Sequence, residues 1–262
     1  LEELHQWMRS NRLKLNPDKT QFIWIGNQYQ LPKIDYQLLS VHFPDTTFQR
    51  SVVDLGVVLD QQLTMSTYVG NICRSGFYQL RQLRLVRRNL SEETAAMLVH
   101  AFVLSKIDYC NAVLFGITKQ QLTRVQSVLN AAARLLLRIP KFGHISAGIR
   151  DELHWLPVEQ RVLFKVIVLV WNCVTGTGPS YLRELCISKS NSSGRSLRSD
   201  DKYFLKETFS KNATKQKRAF SVVGPAIWNK LPLELRLLQL NHGSTALFKN
   251  NLKTHLFPKP ES

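Results

Sequence analysis

Cysteine is scarce in this sequence, and none of its four cysteines lies close enough to another to form a C-x2-C pair. The spacing therefore indicates neither a zinc site nor a dithiol redox motif. A chain of 262 residues that is 44% hydrophobic can bury a core without disulfides, so we expect a reducing compartment. His144 and His154 have no third ligand at zinc spacing, and we predict no metal site in this chain.

Long apolar runs are also missing. The longest one, Val166 to Trp171, is interrupted by Lys165 and Asn172, and it is much shorter than the roughly 20 residues that cross a bilayer. The sequence has no recognisable signal peptide, and we expect no membrane partner. The glycines of residues 176–180 lack the lysine of a phosphate-binding loop.

Acidic residues are absent between Asp60 and Glu92. Residues 1–60 carry a net charge of −1, whereas residues 61–150 carry +9 and residues 151–262 carry +8. A neutral first quarter followed by two basic segments indicates a polyanionic partner, and we favour nucleic acid over acidic membrane surfaces. A generically basic protein is the alternative that charge leaves open.

The hydrophobic pattern predicts an α+β fold that is predominantly helical. In the first part of the chain we predict a helix over 1–12 and strands over 21–26, 36–42 and 50–59. The chain begins with Leu1 inside a helical pattern rather than with methionine, so we expect its natural amino terminus to lie upstream.

Helical periodicity replaces the strand pattern from about residue 66 onward. Helices are predicted over 66–89, 91–115, 118–138 and 157–175, and shorter ones within 216–257. Ser91 and Ser244 stand where a helix would begin, and the Ser-rich residues 188–202 are the best linker candidate. The helix after Ser244 would place four side chains on one side: Leu247, Phe248, Leu252 and Leu256.

The helix predicted over 66–89 has an apolar face and a basic face. The apolar face comprises Val69, Ile72, Cys73, Leu80, Leu83 and Val86. Four arginines share the opposite face within about 80° of arc, with Phe77 among them: Arg74, Arg81, Arg84 and Arg88. Guanidinium groups match phosphate oxygens, so we predict contact with a nucleic-acid backbone. A solvated polar face is the alternative, although such faces usually mix charge signs.

The helix predicted over 118–138 adds Arg124 to the candidate nucleic-acid contacts, with Arg134 and Arg138 near the same face. Its apolar residues form a stripe that should pack into the core. The stripe comprises Leu122, Val125, Leu129, Ala132 and Leu136.

Five segments in sequence order resemble one protein family. They are WMRSNRLKLNPDKT (7–20), DLGVVLD (54–60), HWLPVEQRVLFK (154–165), RAFSVVGPAIWNKLP (218–232) and FKNNLKTHLF (248–257). The first two resemble the segments that follow the catalytic aspartates of non-LTR (LINE-type) retrotransposon reverse transcriptases. The other three are similar to the carboxyl-terminal segment of the chicken-repeat and jockey groups.

The resemblance implies a fragment of an RNA-directed DNA polymerase. Residues 1–60 would be the end of a palm that leaves apolar surface exposed, residues 61–138 a helical thumb, and residues 139–262 a mostly helical extension. The expected partners are the RNA template and the DNA primer or target, and the expected location is intracellular, in the nucleus during integration. A decayed or host-adopted, non-catalytic binding module is the alternative.

The resemblance also implies roles for three residues of the first two segments. Lys19 would protonate the pyrophosphate leaving group, while a solvated lysine in a turn is the alternative. Leu55 and Gly56 match the primer grip, where a glycine lets the primer backbone approach closely. An ordinary hairpin glycine is compatible with that role.

The carboxylates that would hold magnesium are missing from the sequence. The family carries them upstream and on an aromatic-Ala-Asp-Asp hairpin, whereas the one Asp-Asp pair here, Asp200-Asp201, lies in Ser-rich polar sequence. We therefore expect no cofactor in this chain and no polymerisation by it alone.

Overall fold

The structure is a computed structural model in which the chain folds into two compact units, Leu1–Tyr68 and Val69–Ser262. It describes residues 2–14, 16, 19–42, 47–189, 204–208, 218–238 and 244–257. The described residues form an α+β fold that is mostly helical with a few short strands, as the hydrophobic pattern predicts.

The first unit opens with helix α1 (Glu2–Ser10) and continues into strand β1 (Phe22–Ile23). Helix α2 (Tyr36–His42) separates β1 from strand β2 (Phe48–Gln49), and the two strands pair in parallel. Several large apolar side chains of this unit are exposed. They include Trp7, Trp24, Tyr29, Leu38 and Val41.

The strand predicted over 36–42 is wrong, because these residues form α2. The Asp35 carboxylate accepts hydrogen bonds from the N–H groups of Gln37 at 2.9 Å and Leu38 at 3.0 Å. An aspartate in this position satisfies the free N–H groups of a helix start. The Asp35 cap therefore favours a helix in this segment, although the apolar pattern predicts a strand.

Strands β3 (Ser51–Asp54) and β4 (Val57–Asp60) form an antiparallel hairpin within the segment predicted as one strand, 50–59. Leu55 and Gly56 make its two-residue turn, with φ values of 45° and 84°. Positive φ at both central residues is the backbone geometry of a type I′ hairpin turn. Gly56 adopts this geometry without strain, whereas Leu55 must be held in it.

The second unit begins within the first turn of α3, and its first elements are almost entirely helical. They are α3 (Ser66–Val86), a 3-10 turn (Arg87–Asn89), α4 (Glu92–Val99), a π-helical turn (His100–Leu104) and α5 (Ser105–Asp108). Ser91 caps α4, since its side chain accepts a hydrogen bond from Thr94 N–H. The single helix predicted over 91–115 is wrong, because Cys110 turns the chain with a φ of 48°.

Two long helices follow, and both bury many side chains in the core. Helix α6 (Lys119–Leu137) ends at Arg138, whose φ is 54°, and α7 (Val158–Val174) leads into the short α8 (Ser180–Arg183). The predicted stripe of α6 is buried except for Leu122, which is half-buried.

The carboxyl-terminal helices pack against α7. They are α9 (Phe220–Asn229), α10 (Leu233–Leu237) and α11 (Thr245–Leu256), the last capped by Ser244. Phe248 stacks on Trp171 with ring centroids 4.0 Å apart, and Trp228 completes the aromatic cluster. Leu247 is 46% exposed, so its predicted place on the packing side of α11 is wrong.

Candidate nucleic-acid interface

The basic face of α3 is exposed along its length. The side chains of Arg74, Arg81 and Arg84 are exposed on the helix, and Arg88 is exposed in the 3-10 turn that follows. Among the described residues, none of these four guanidinium groups forms an ion pair with a carboxylate. Phe77 is exposed among them, as its helical position predicts.

Arg87 lies on the opposite side and is only 7% exposed. It donates hydrogen bonds to the carbonyl oxygens of Leu135 at 3.2 Å, Leu136 at 3.1 Å and Leu90 at 3.1 Å. Two of these carbonyls belong to the last turn of α6, which has no helical N–H partners of its own. Arg87 thus ties the end of α3 to the end of α6.

Sequence reasoning missed Arg87, although a signal was present. Arg87 follows Val69 by five full helical turns and therefore projects onto the centre of the apolar face. The same projection placed Val86 on that face, whereas Val86 is 45% exposed. Val86 belongs to α3 and projects about 100° away from Val69, at the edge of the apolar face, which leaves it exposed.

Helices α3 and α6 run side by side in the same direction. Gly70 lies beside Arg124, Gly76 packs against Val128, and Arg87 bonds to the carbonyls of Leu135 and Leu136, so the contacts follow one order along both helices. The two helices consequently end together. Their shared end is where the predicted arginines of α3 meet basic residues from other segments.

An open groove of about 700 Å³ lies at this shared end. Its walls come from the last turns of α3 and α6 and from the segment Ile139–Pro140–Lys141. Six basic residues line it: Arg84, Arg87, Arg88, Arg134, Arg138 and Lys141. None of its lining residues among those described carries a carboxylate side chain. The groove therefore concentrates positive charge in a concave surface, which is the arrangement that attracts anions most strongly.

The basic residues of the groove divide into two sets. Arg87 and Arg134 stabilise the fold. Arg87 donates to the carbonyls of Leu135 and Leu136, and Arg134 Nε donates to the Gly143 carbonyl at 3.1 Å. Arg84, Arg88, Arg138 and Lys141 have no carboxylate partner among the described residues. The second set can therefore bind an external anion without breaking the fold.

An exposed aromatic ring adjoins the groove. Phe142 is 89% exposed, and the Lys141 ammonium lies over its ring at 5.2 Å from the centroid. An exposed aromatic beside a cation can stack on a nucleic-acid base. The sequence offered no signal for this role, because residues 139–144 follow no helical or strand period.

Arg124 is exposed but does not line the groove. It lies in the first turns of α6, where its Nη1 donates to Gln121 Oε1 at 2.9 Å. Burial raises the pKa of the nearby Cys73 thiol, and the charge of Arg124 acts in the opposite direction. Arg124 therefore extends the basic surface at the other end of the paired helices.

The remaining candidate residues lie in the first unit. Lys19 is exposed, and its backbone N–H donates to the Asn16 carbonyl in a turn. Leu55 is 83% exposed at the tip of the β3–β4 hairpin, next to Gly56. These residues form no part of the groove.

Three further observations bear on the sequence predictions. Within the described ranges, no group of three His, Cys, Asp or Glu side chains could hold a metal ion. The Asp200-Asp201 pair and most of the predicted linker lie outside those ranges. No described helix has both the length and the apolar character to cross a membrane.

Comparisons of the chain with protein-family models, with curated proteins and with solved structures gave no match.

Proposed function

We propose that this protein binds the sugar-phosphate backbone of a nucleic-acid duplex through the groove and the exposed arginines of α3. In this proposal it is the carboxyl-terminal part of a non-LTR retrotransposon reverse transcriptase, and it grips primer–template and element RNA. The five segments quoted above support the family, and the basic groove supports the binding. Polymerisation would require the carboxylates that the family carries upstream.

The observation that carries the binding is the charge composition of the groove. Six basic side chains converge in it without a carboxylate among its described lining residues. Arginine offers several N–H donors in a rigid fork that matches phosphate oxygens. A surface that served only solubility would mix both signs of charge.

The length of the basic surface fits a duplex better than a small anion. Arg74 and Arg88 are separated by about 20 Å along the helix axis, using the rise of an α-helix. That distance corresponds to the rise of about six base pairs. Phosphate contacts carry little sequence information, so we expect the binding to tolerate many sequences.

A charge-reversal experiment tests the proposal. The triple variant Arg81→Glu, Arg84→Glu, Arg88→Glu should weaken binding to a fluorescein-labelled RNA–DNA hybrid by about tenfold or more, because it removes three phosphate contacts. Fluorescence anisotropy at fixed salt gives the dissociation constants, and circular dichroism checks that the variant is folded.

A matched control carries the same change in net charge elsewhere in the second unit. The variant Arg183→Glu, Lys230→Glu, Lys249→Glu alters three exposed basic residues outside the groove. It should retain most of the hybrid affinity. Equal losses in the two variants would show that diffuse charge alone binds the hybrid, and the groove would then have no special role. Vesicles containing phosphatidylserine test the alternative of an acidic membrane surface. We expect the protein to bind these vesicles more weakly than the hybrid.

A further inference from the structure

A second cavity of about 450 Å³ lies in the same unit and shares no lining residue with the groove. The α5 region, the segment 153–156, helix α7 and helix α11 surround it. Its lining combines apolar and aromatic side chains with cationic ones. The lining residues include Asp108, Asn111, Trp155, Phe164, Lys165 and Lys253.

Asn111 belongs to the buried wall of this cavity. It is 3% exposed, and its Nδ2 donates to the Asp108 carboxylate at 3.4 Å. Among the described residues no donor reaches its Oδ1 atom. A buried amide oxygen without a donor is rare in folded proteins, because desolvating it is unfavourable. This oxygen is closed off from the cavity as well as from solvent, so Asn111 and the Asp108 carboxylate form part of the buried wall.

One wall of the cavity is held rigidly. Arg161 pairs with Asp108 at 2.8 Å, and its Nε donates to the Leu156 carbonyl at 2.7 Å. The same guanidinium lies over the Trp155 ring, 6.0 Å from its centroid. These contacts fix the carboxylate, the arginine and the indole together, so the cavity is formed before any ligand binds.

The rim of the cavity is cationic. Lys165 on α7 and Lys253 on α11 are exposed, and neither has a carboxylate partner among the described residues. The lone carboxylate of the described lining, Asp108, is already engaged by Arg161. The two ammonium groups therefore favour an anionic group on the ligand.

We propose that this cavity binds a nucleoside monophosphate group, with its base against Trp155 and Phe164 and its phosphate near Lys165 and Lys253. The apolar aromatic lining suits a planar base, and the cavity volume is within the range of small-molecule sites. The group could be a free nucleotide or one nucleotide of an unpaired strand. The site is independent of the function proposed for the groove.

Isothermal titration calorimetry with AMP on the full chain tests this site. We expect saturable binding of AMP, and binding weaker by about tenfold for adenosine, which lacks the phosphate, and for ribose 5-phosphate, which lacks the base. Equal affinity for AMP and either fragment would overturn the proposal, as would the absence of saturable heat up to about 5 mM AMP. A single-stranded oligoadenylate that binds more tightly than AMP assigns the site to an unpaired strand, and equal or weaker binding assigns it to a free nucleotide.

Variants locate the binding. Lys165→Ala with Lys253→Ala should weaken AMP binding about tenfold, whereas Lys230→Ala with Lys249→Ala should not change it, since Lys249 lies on the same helix as Lys253 but outside the cavity.

The charge-reversal variant of α3 separates this site from the groove. It should bind AMP as the unmodified protein does, even where hybrid binding is lost. Loss of AMP binding in that folded variant would place the phosphate in the groove and overturn the second site.

Discussion

Neighbouring arginines at the end of α3 have different tasks. Arg87 is buried and donates to three backbone carbonyls, whereas Arg88 is exposed in the same 3-10 turn. Buried arginines are found where their donors meet acceptors, because an unpaired charge is costly to desolvate. The arginines at this end of α3 thus include one that stabilises the fold, Arg87, and others that are available for binding.

The difference can be measured as stability. Arg87→Met keeps an apolar stem but leaves the carbonyls of Leu135 and Leu136 without their donor, so we expect a loss of about 1–3 kcal/mol in the free energy of unfolding. Arg88→Met removes an exposed side chain and should change it by less than about 0.5 kcal/mol. Urea denaturation followed by circular dichroism gives both values. Equal effects of the two substitutions would contradict the assignment.

At the scale of elements, the groove depends on the close approach of α3 and α6. A Cβ atom on Gly76 would lie 2.6 Å from Val128 Cγ1, and Val128 is fully buried. A Cβ atom on Gly70 would have only an ordinary contact, 3.8 Å from Arg124 Nη2. The two glycines of α3 therefore differ in what they allow, although both are poor helix formers.

Gly76→Ala should therefore destabilise the protein, by about 1–3 kcal/mol, because the helices must separate or Val128 must move within a packed core. It should also weaken hybrid binding, since the ends of both helices form the groove. Gly70→Ala is the matched control and should stabilise by up to about 1 kcal/mol through helix propensity. Thermal unfolding and anisotropy measure the two effects. A stabilising Gly76→Ala would show that the helices are not in tight contact there.

Periodicity and capping residues predicted the long helices well. The helices α6 and α7 lie within one residue of the predicted 118–138 and 157–175 at each end, and Ser91 and Ser244 cap helices as expected. The break at Cys110 was not predicted, because a left-handed cysteine has no local sequence signature.

The candidate site was predicted only in part. Arg84 and Arg88 are read directly from the wheel of α3, and both line the groove. Lys141 lies in a segment without regular structure, so its place beside the end of α3 depends on how α6 ends. Periodicity describes one helix at a time, and a groove formed by several segments requires their packing.

At the scale of the whole molecule, the net positive charge lies in residues 61–262. Residues 1–60 carry a net charge of −1, and residues 61–262 carry +17, which gives the total of +16. A protein that binds phosphates through this charge releases counterions from the nucleic acid. The salt dependence of affinity therefore counts the phosphates that the protein contacts.

The slope of log affinity against log salt concentration should accordingly be steep for the RNA–DNA hybrid. With Arg74, Arg81, Arg84, Arg88 and Lys141 each neutralising one phosphate, we expect a slope of about −4.5, using the coefficient of duplex DNA. The variant Arg81→Gln, Arg84→Gln, Arg88→Gln should reduce its magnitude by about 2.7, and Arg183→Gln, Lys230→Gln, Lys249→Gln should leave it nearly unchanged. Anisotropy titrations between about 50 and 200 mM salt give the slopes. A flat dependence would exclude phosphate contact, and equal reductions in both variants would show that diffuse charge binds the hybrid without a special role for α3.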